Sequence, residues 1–457
     1  MTREAADRLL ARVWTELDRD AGELDALAPL PDAPLPAHVD VSALAVASVA
    51  AASLAGWART ASPRSIRLDG PRIAAAFQSE RVARFDGVAP DVWSPLSGFR
   101  RARDGWVRTH GNYPHHAAAL RRVLGFAPDA SPTPDDVDAA VATWAADDLA
   151  EAVTGAGGMC VAVAPEDPAA DAAWRRRPLV EVARLDDTDP TGTRRSGSAP
   201  APLSGVRVLD LTRVIAGPVA TRTLALLGAE VLRVDPPEPA EIGWQHLEGG
   251  PGKRTTLLDL RQAPDAQRFE HLLGRADVVV LGYRPAALER LGLDPARLAE
   301  RRPGLVVAQL SAWGFDAEAG ERGGFDSLVQ ASSGIAVVEG DRDRPGALPA
   351  QALDHATGYL LAAAVTSLLE RRSAEGGAWL ARMSLRRTAA ELLGMPRTAQ
   401  PAPPGLDVDA REALAVNLSG PAGTQRLAAP AIAAPGGPTA WCEAPRPWGS
   451  DPPEWAR

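Results

Sequence analysis

The sequence predicts an α/β fold, a doubly wound parallel sheet joined to a smaller α+β unit, and three observations predict it. Between 205 and 372, near-continuous apolar segments such as "VRVLDL", "AEVLRVD", "ADVVVLGY" and "LVVAQLSAWG" recur with helical segments between them. Strands buried on both faces read as unbroken apolar runs, and intervening helices make parallel pairing the natural connection. The stretch "DDTDPTGTRRSGSAPAPLSG", residues 186–205, is polar and rich in Pro, Gly and Ser, which marks an exposed linker. Ahead of it, "DGWVRTHGNYPHHAAALRRVLGF" and "DDVDAAVATWAADDLAEAVTGAGGMCVAVAP" read as strand, turn and helix, then helix, Gly-rich turn and strand.

The elements follow in order. "VRVLDL" (206–211) is a buried strand, and "AGPVATRTLALLG" (216–228) is a helix stopped at Gly228. "AEVLRVD" (229–235) is the next strand, and a connection leads to "TTLLDL" (255–260). A helix covers Ala263 to Leu273, and strands follow at 276–283 and 305–314. From Ala356 to Leu369 an Ala- and Leu-rich segment, apolar on every side, reads as a buried helix ended by Glu370-Arg371-Arg372. Asp354 stands at the N-cap of that helix, where a carboxylate accepts the orphan N–H groups of the first turn. The expected divisions are helices and a small α+β domain over 1–185, a linker over 186–204, the sheet domain over 205–395, and a Pro-rich tail over 396–457. Trp441, Trp448 and Trp455 give that tail anchors on a neighbouring domain.

Composition narrows the function. With 457 residues the chain exceeds one ordinary core, and 46% hydrophobic with 23% charged residues is a globular balance. A net charge of −9 argues against general binding to nucleic acid or to an anionic membrane. Two cysteines, Cys160 and Cys442, make neither a disulfide framework nor a metal cluster and suit a reducing cytoplasm. "MTREAADRLLARVW" does not read as a secretory signal, and the apolar run from Val41 to Trp57 falls short of the ~20 residues of a bilayer span. It is expected to be a buried helix. Among 49 basic residues one alone is lysine, Lys253, a compact charge that Arg does not replace at every phosphate site.

Several chemistries are excluded. Asp235, at the end of the second strand, mimics the acid that holds a ribose, but "TRVIAGPVATRT" lacks the G-x-G-x-x-G that lets a pyrophosphate approach. His110, His115 and His116 in "HGNYPHH" match no metal-ligand spacing and read as surface or turn histidines. No metal is expected. Neither a G-x-S-x-G elbow nor a P-loop occurs, so a serine hydrolase or an NTPase has no support.

Six segments, in order, resemble class III coenzyme A transferases, the family that includes formyl-CoA and carnitine-CoA transferases and 2-methylacyl-CoA racemases. They are "PLSGVRVLDLTRVIAGPVATRTLALLGAEVLRVDPP", "GKRTTLLDL", "ADVVVLGYRPAALERLGLD", "GLVVAQLSAWG", "GGFDSLVQASSGIA" and "LDHATGYLLAAAV". The resemblance implies a Rossmann-like large domain, here preceded by the smaller domain that normally follows it, so the order looks permuted. It also implies that Asp354 is a nucleophile toward the thioester, kept ionised by the helix N-terminus. For coenzyme A it implies Arg213, Val214, Ile215 and Ala216 at the adenine, Lys253 and Arg254 near the phosphates, and Tyr283 and Arg290 along the ligand. Pro236 stands where a basic residue often follows the second strand, and the Gly-rich loop of formyl-CoA transferases has no counterpart.

The expected function is therefore a cytoplasmic CoA transferase, a transferase of sulfur-containing groups. It would move CoA between an acyl-CoA and a carboxylic acid through an aspartyl intermediate, with coenzyme A as substrate and no permanently bound cofactor. A homodimer is expected, without nucleic acid or membrane. The alternatives are a non-catalytic acyl-CoA-binding subunit and a 2-methylacyl-CoA racemase, though Phe325 occupies the racemase-like His position in "GGFDSLVQ" and cannot carry a proton.

Overall fold

The computed structural model describes residues 2–58, 62–189, 201–397, 404–434 and 440–456. Most of the expected linker lies outside these residues. The chain opens with helices Thr2–Glu16 and Val41–Trp57, then Gly70–Phe77. Strand β1 (Arg84–Phe85) is followed by β2 (Gly98–Arg101), β3 (Trp106–Thr109) and β4 (Cys160–Ala162), an antiparallel three-stranded sheet in the order β2-β3-β4. Helices Pro114–Val123, Pro134–Val141 and Ala146–Gly155 cover it around a separate small core that includes Val107, Leu120, Val141 and Leu149.

The main sheet contains β5 (Glu181–Arg184), β6 (Arg207–Leu211), β7 (Glu230–Asp235), β8 (Lys253–Leu257), β9 (Val278–Leu281), β10 (Val306–Ser311) and β11 (Trp379–Ser384). Its order is β5-β11-β10-β9-β6-β7-β8. From β6 to β11 all pairings are parallel, and β5 is antiparallel to β11. The parallel strands thus read third, second, first, fourth, fifth, sixth, the doubly wound order whose direction reverses between β6 and β9. Such a reversal leaves a crevice at the strands' carboxyl ends, where ligands bind.

The divisions in space differ from those expected in sequence. Val41–Trp57 is apolar all round, so it must be buried on every side. It packs on helix Ala352–Glu375, and one core joins Val46, Leu44, Leu360 and Leu361 to Val208 and Val278 of the sheet. The helices Thr2–Glu16, Val41–Trp57 and Gly70–Phe77 therefore belong to the sheet domain, and β5 extends its sheet. The tail also forms a hairpin, β12 (Ala415–Gly420) with β13 (Gly423–Ala428), and β13 pairs with β1. Indole N–H groups of Trp441, Trp448 and Trp455 donate to the Ala428 carbonyl, the Asp235 carboxylate and the Leu272 carbonyl.

By length and composition Ala352–Glu375 could cross a membrane, yet its apolar window is wholly buried within the protein. It crosses helix Ala216–Leu226 at Gly358, where an added Cβ would lie 2.5 Å from the Ala216 carbonyl oxygen and 2.8 Å from Val219 Cβ. Backbone cannot yield there. Gly358→Ala is expected to cost about 1–3 kcal/mol in urea unfolding, because the crossing holds the start of this helix against the Ala216 carbonyl.

Candidate active site

Two cavities meet at Asp354. The larger, about 660 Å³, lies at the sheet's reversal point and is walled by the loops after β6 and β9. Arg213, Val214 and Ala216 come from the first loop, and Gly282, Tyr283 and Arg284 from the second. The smaller, about 340 Å³, lies between the sheet domain and the small domain, with Trp93, Arg108 and His110 on one wall and Gln330 and Gln351 on the other. Asp354, Val214 and Phe325 line both.

The β6 loop is held from beneath. Gly217 brings the helix start over the strand end so closely that a Cβ would sit 2.2 Å from Thr212 Cβ. Val214 takes a positive φ of 69°, which is strained for a β-branched residue. Under this turn lies Asp210, fully buried at the end of β6. Its carboxylate accepts from Thr212 Oγ1 at 2.5 Å, Thr221 Oγ1 at 2.6 Å and Lys253 Nζ at 3.0 Å. Lys253 Nζ also reaches Thr221 Oγ1 at 2.5 Å and the Pro218 carbonyl at 3.1 Å. Burial lowers its pKa to about 8, so it is still charged at neutral pH.

This corrects the expected role of Lys253. It lines neither cavity and is 2% exposed, so it cannot meet a ligand phosphate. The lone lysine is explained instead by its neighbours: three acceptors converge on a compact ammonium with three donors, a geometry that a planar guanidinium does not match. Arg254 turns to the opposite side of edge strand β8 and donates to the Glu454 carbonyl in the tail. Arg290 is exposed and paired with Glu321 at 2.7 Å. Neither lines the two cavities. The stretch "GYRPAALERLG" nonetheless supplies a cation, Arg284, which faces the larger cavity beside Tyr283. Ile215 lines the smaller cavity and Ala216 the larger.

Asp235 is consumed by protein partners. Arg233 Nε approaches it at 2.7 Å, Arg213 Nε at 3.3 Å and Trp448 Nε1 at 2.9 Å, and Tyr283 donates its hydroxyl at 3.3 Å. Arg233 also pairs with Glu241 at 2.5 Å, which accepts the Tyr113 hydroxyl at 2.5 Å. The network ties sheet domain, small domain and tail together behind the larger cavity. A carboxylate so engaged is not free to hold a ribose. The arginines hold Asp235 below the usual carboxylate range despite its burial.

Asp354 is not the helix N-cap. Gln351 is, with no side-chain capping bond, and Asp354 stands in the first turn. The cap comes from elsewhere in the chain: Asp326 Oδ2 accepts the Asp354 N–H at 2.9 Å, and Gln330 Nε2 donates to Asp326 Oδ1 at 2.5 Å. Sequence reading passed over Asp326, whose one signal is an acidic residue opening the short helix Asp326–Ser332. Burial first, and the Asp326 charge second, push Asp354 well above its ordinary pKa. Asp326 is itself raised by burial to about 6. The expected effect of the helix N-terminus is outweighed, because two carboxylates in one dry site do not both ionise readily.

The histidines are corrected as well. His110 and His116 are buried, not at the surface, and only His115 is exposed. His110 stacks on Phe325 with ring centroids 4.0 Å apart, and burial lowers it and His116 to about 3, so both are neutral. His355 turns from Asp354 to stack on Phe77 at 5.1 Å. Among the described residues no group of three or more His, Cys, Asp or Glu could hold a metal ion.

Comparison with known proteins agrees with the sheet-domain segment. Residues 203–405 match CoA-transferase family III. The "Probable fatty acyl-CoA transferase Rv3272" of Mycobacterium tuberculosis is 37% identical over 189 residues, 38% of this chain and 48% of that protein. Succinyl-CoA--L-malate CoA-transferase alpha subunit of Chloroflexus aurantiacus is 29% identical over 180 residues, 36% and 42% of the two chains. Acetyl-CoA:oxalate CoA-transferase of Acetobacter aceti is 32% identical over 155 residues, 32% and 40%. A crystal structure of Rv3272 aligns with a TM-score of 0.40 at 35% identity, covering 42% of this chain and 56% of that one. The chain thus spans about half the length of these relatives. With its doubly wound sheet, the segment 203–405 is similar to CoA-transferase family III.

Proposed function

We propose that this chain moves CoA between an acyl-CoA and a free carboxylic acid through a covalent intermediate on Asp354. One observation carries the reading: Asp354 is the acid shared by a cavity at the sheet's reversal point and a second, smaller one. CoA would occupy the larger, and the acyl group or acceptor acid the smaller. The Asp354 carboxylate attacks the thioester carbonyl, forming a mixed anhydride and releasing CoA thiolate. The thiolate attacks the aspartyl carbonyl, giving an aspartyl thioester and expelling the first acid. An acceptor carboxylate attacks that thioester, again releasing thiolate, which takes the new acyl group and frees Asp354. Each step exchanges one bond for another, and no oxidant or metal is consumed. Incubation with acyl-CoA followed by hydroxylamine should leave a hydroxamate on Asp354, located by peptide mass spectrometry; an unlabelled peptide from an active preparation would overturn the reading.

Burial and Asp326 also favour a neutral Asp354, which a non-catalytic acyl-CoA-binding subunit would tolerate. The pH profile separates the two. If ionised Asp354 attacks, kcat/KM rises with pH through the raised pKa of the pair. Asp326→Asn keeps an oxygen acceptor for the Asp354 N–H but removes the neighbouring charge, so the acid limb should move to lower pH. An unmoved limb would mean that another group titrates. The racemase reading is disfavoured, because Phe325 has no exchangeable proton.

For coenzyme A, Arg284 and Arg213 replace Lys253, Arg254 and Arg290 as the proposed phosphate partners. Arg284→Gln should weaken CoA binding about tenfold to a hundredfold, the scale of one charge-assisted contact of about 1.5–3 kcal/mol. Calorimetry with CoA checks this, and unchanged affinity would move the phosphates elsewhere.

A further inference from the structure

Arg108, on β3, is a cation on the wall of the smaller cavity that the aspartyl chemistry leaves unexplained. Its guanidinium carbon lies 4.8 Å from the Trp93 ring centroid and 4.8 Å from that of Phe99. Its Nε is buried with no hydrogen-bond partner, and among the described residues no carboxylate comes within ion-pair distance of it. Arg108 is half-buried, and the arginines buried more deeply do have one: Arg222 with Glu248 at 2.5 Å, Arg233 with Asp235 at 2.7 Å, and Arg100 with Asp138 at 2.8 Å. Burying an unpaired charge is costly, and aromatic faces compensate only in part. Rings over a guanidinium occupy its faces and leave its edge, the fork that takes a carboxylate through two parallel N–H bonds.

We infer that the smaller cavity is built for an acid with a second carboxylate, one end reacting at Asp354 and the other held by Arg108. The remaining charges on its wall permit this. Glu248 is neutralised by Arg222. Burial raises Glu80 to about 7, so near neutral pH much of it is protonated and can donate a hydrogen bond. Arg81, at the rim, pairs with Glu80 at 3.4 Å and donates to the Pro349 carbonyl. Asp326 is the anion that faces Arg108, and it is engaged by the Asp354 N–H and Gln330. A cavity of about 340 Å³ suits a short acid rather than a long acyl chain.

This inference rests on the transferase reading, and direct binding keeps the two separable. Succinate, glutarate and adipate would be titrated into the protein beside butyrate, valerate and hexanoate, by calorimetry without acyl-CoA. The dicarboxylates should bind about tenfold to a hundredfold more tightly than their monocarboxylate counterparts. Arg108→Met should erase that preference and leave the monocarboxylates within a few fold, while Arg108→Lys should keep part of it. Equal affinities in the wild type, or a preference that survives Arg108→Met, would overturn the inference. Dicarboxylate preference without any CoA transfer would uphold the subsite and refute the transferase. Transfer to monocarboxylates without dicarboxylate preference would do the reverse.

Discussion

Asp354→Asn is expected to lower CoA transfer by at least about 10⁴-fold, the scale seen when a covalent nucleophile is removed, and at the same time to raise the melting temperature. The two effects have one origin. The carboxylate sits buried beside Asp326, so ionising it is costly, and both causes raise its pKa in the folded protein. A carboxyl with a raised folded pKa binds its proton more tightly folded than unfolded, so stability falls as pH rises from about 4 through the raised value. Asn carries no such charge, and its backbone N–H still reaches Asp326. The variant should therefore melt higher than wild type at pH 7 and above, and the gap should close toward pH 4. Thermal melts across pH and a mass-spectrometric transfer assay read both effects. A residue that merely helped to hold the helix end would show the opposite pattern, normal transfer with equal or lower stability.

Lys253→Met is expected to destabilise the fold by about 3–5 kcal/mol, the cost of leaving one half of a buried ion pair. Asp210 is fully buried, and without the ammonium it retains only two threonine hydroxyls. The loss would free the turn at Arg213–Ala216, since Lys253 also ties the Pro218 carbonyl of the following helix. Combining Lys253→Met with Asp210→Asn should recover much of the stability, because replacing both partners removes the orphaned charge. Urea unfolding of the single and double variants measures this. A Lys253 variant of unchanged stability that binds CoA tenfold more weakly would restore a direct phosphate role and refute the structural one.

The parallel strands, the all-round apolar helices and the loop after β6 were legible in the sequence, because each depends on residues near one another. Unbroken apolar runs such as "VVVL" fit only strands covered on both faces. The anchoring role of Trp441, Trp448 and Trp455 was legible too, since large indoles without a local core must find one elsewhere. The resemblance drew attention to Asp354, and composition to Lys253. What sequence alone left open was direction. Neighbours on a strand point to opposite faces, so Lys253 goes under the helix while Arg254 goes to the tail. Within "GYRPAALERLG" the start of a short helix puts Arg284 on the cavity and Arg290 in solvent beside Glu321. Asp326 caps a helix that begins 26 positions later, and Arg108 comes from a different domain. Local pattern specifies the elements because propensity and burial act over a few residues. The charge balance at Asp354 arises only when distant segments share one dry cavity, and that is a property of the tertiary fold.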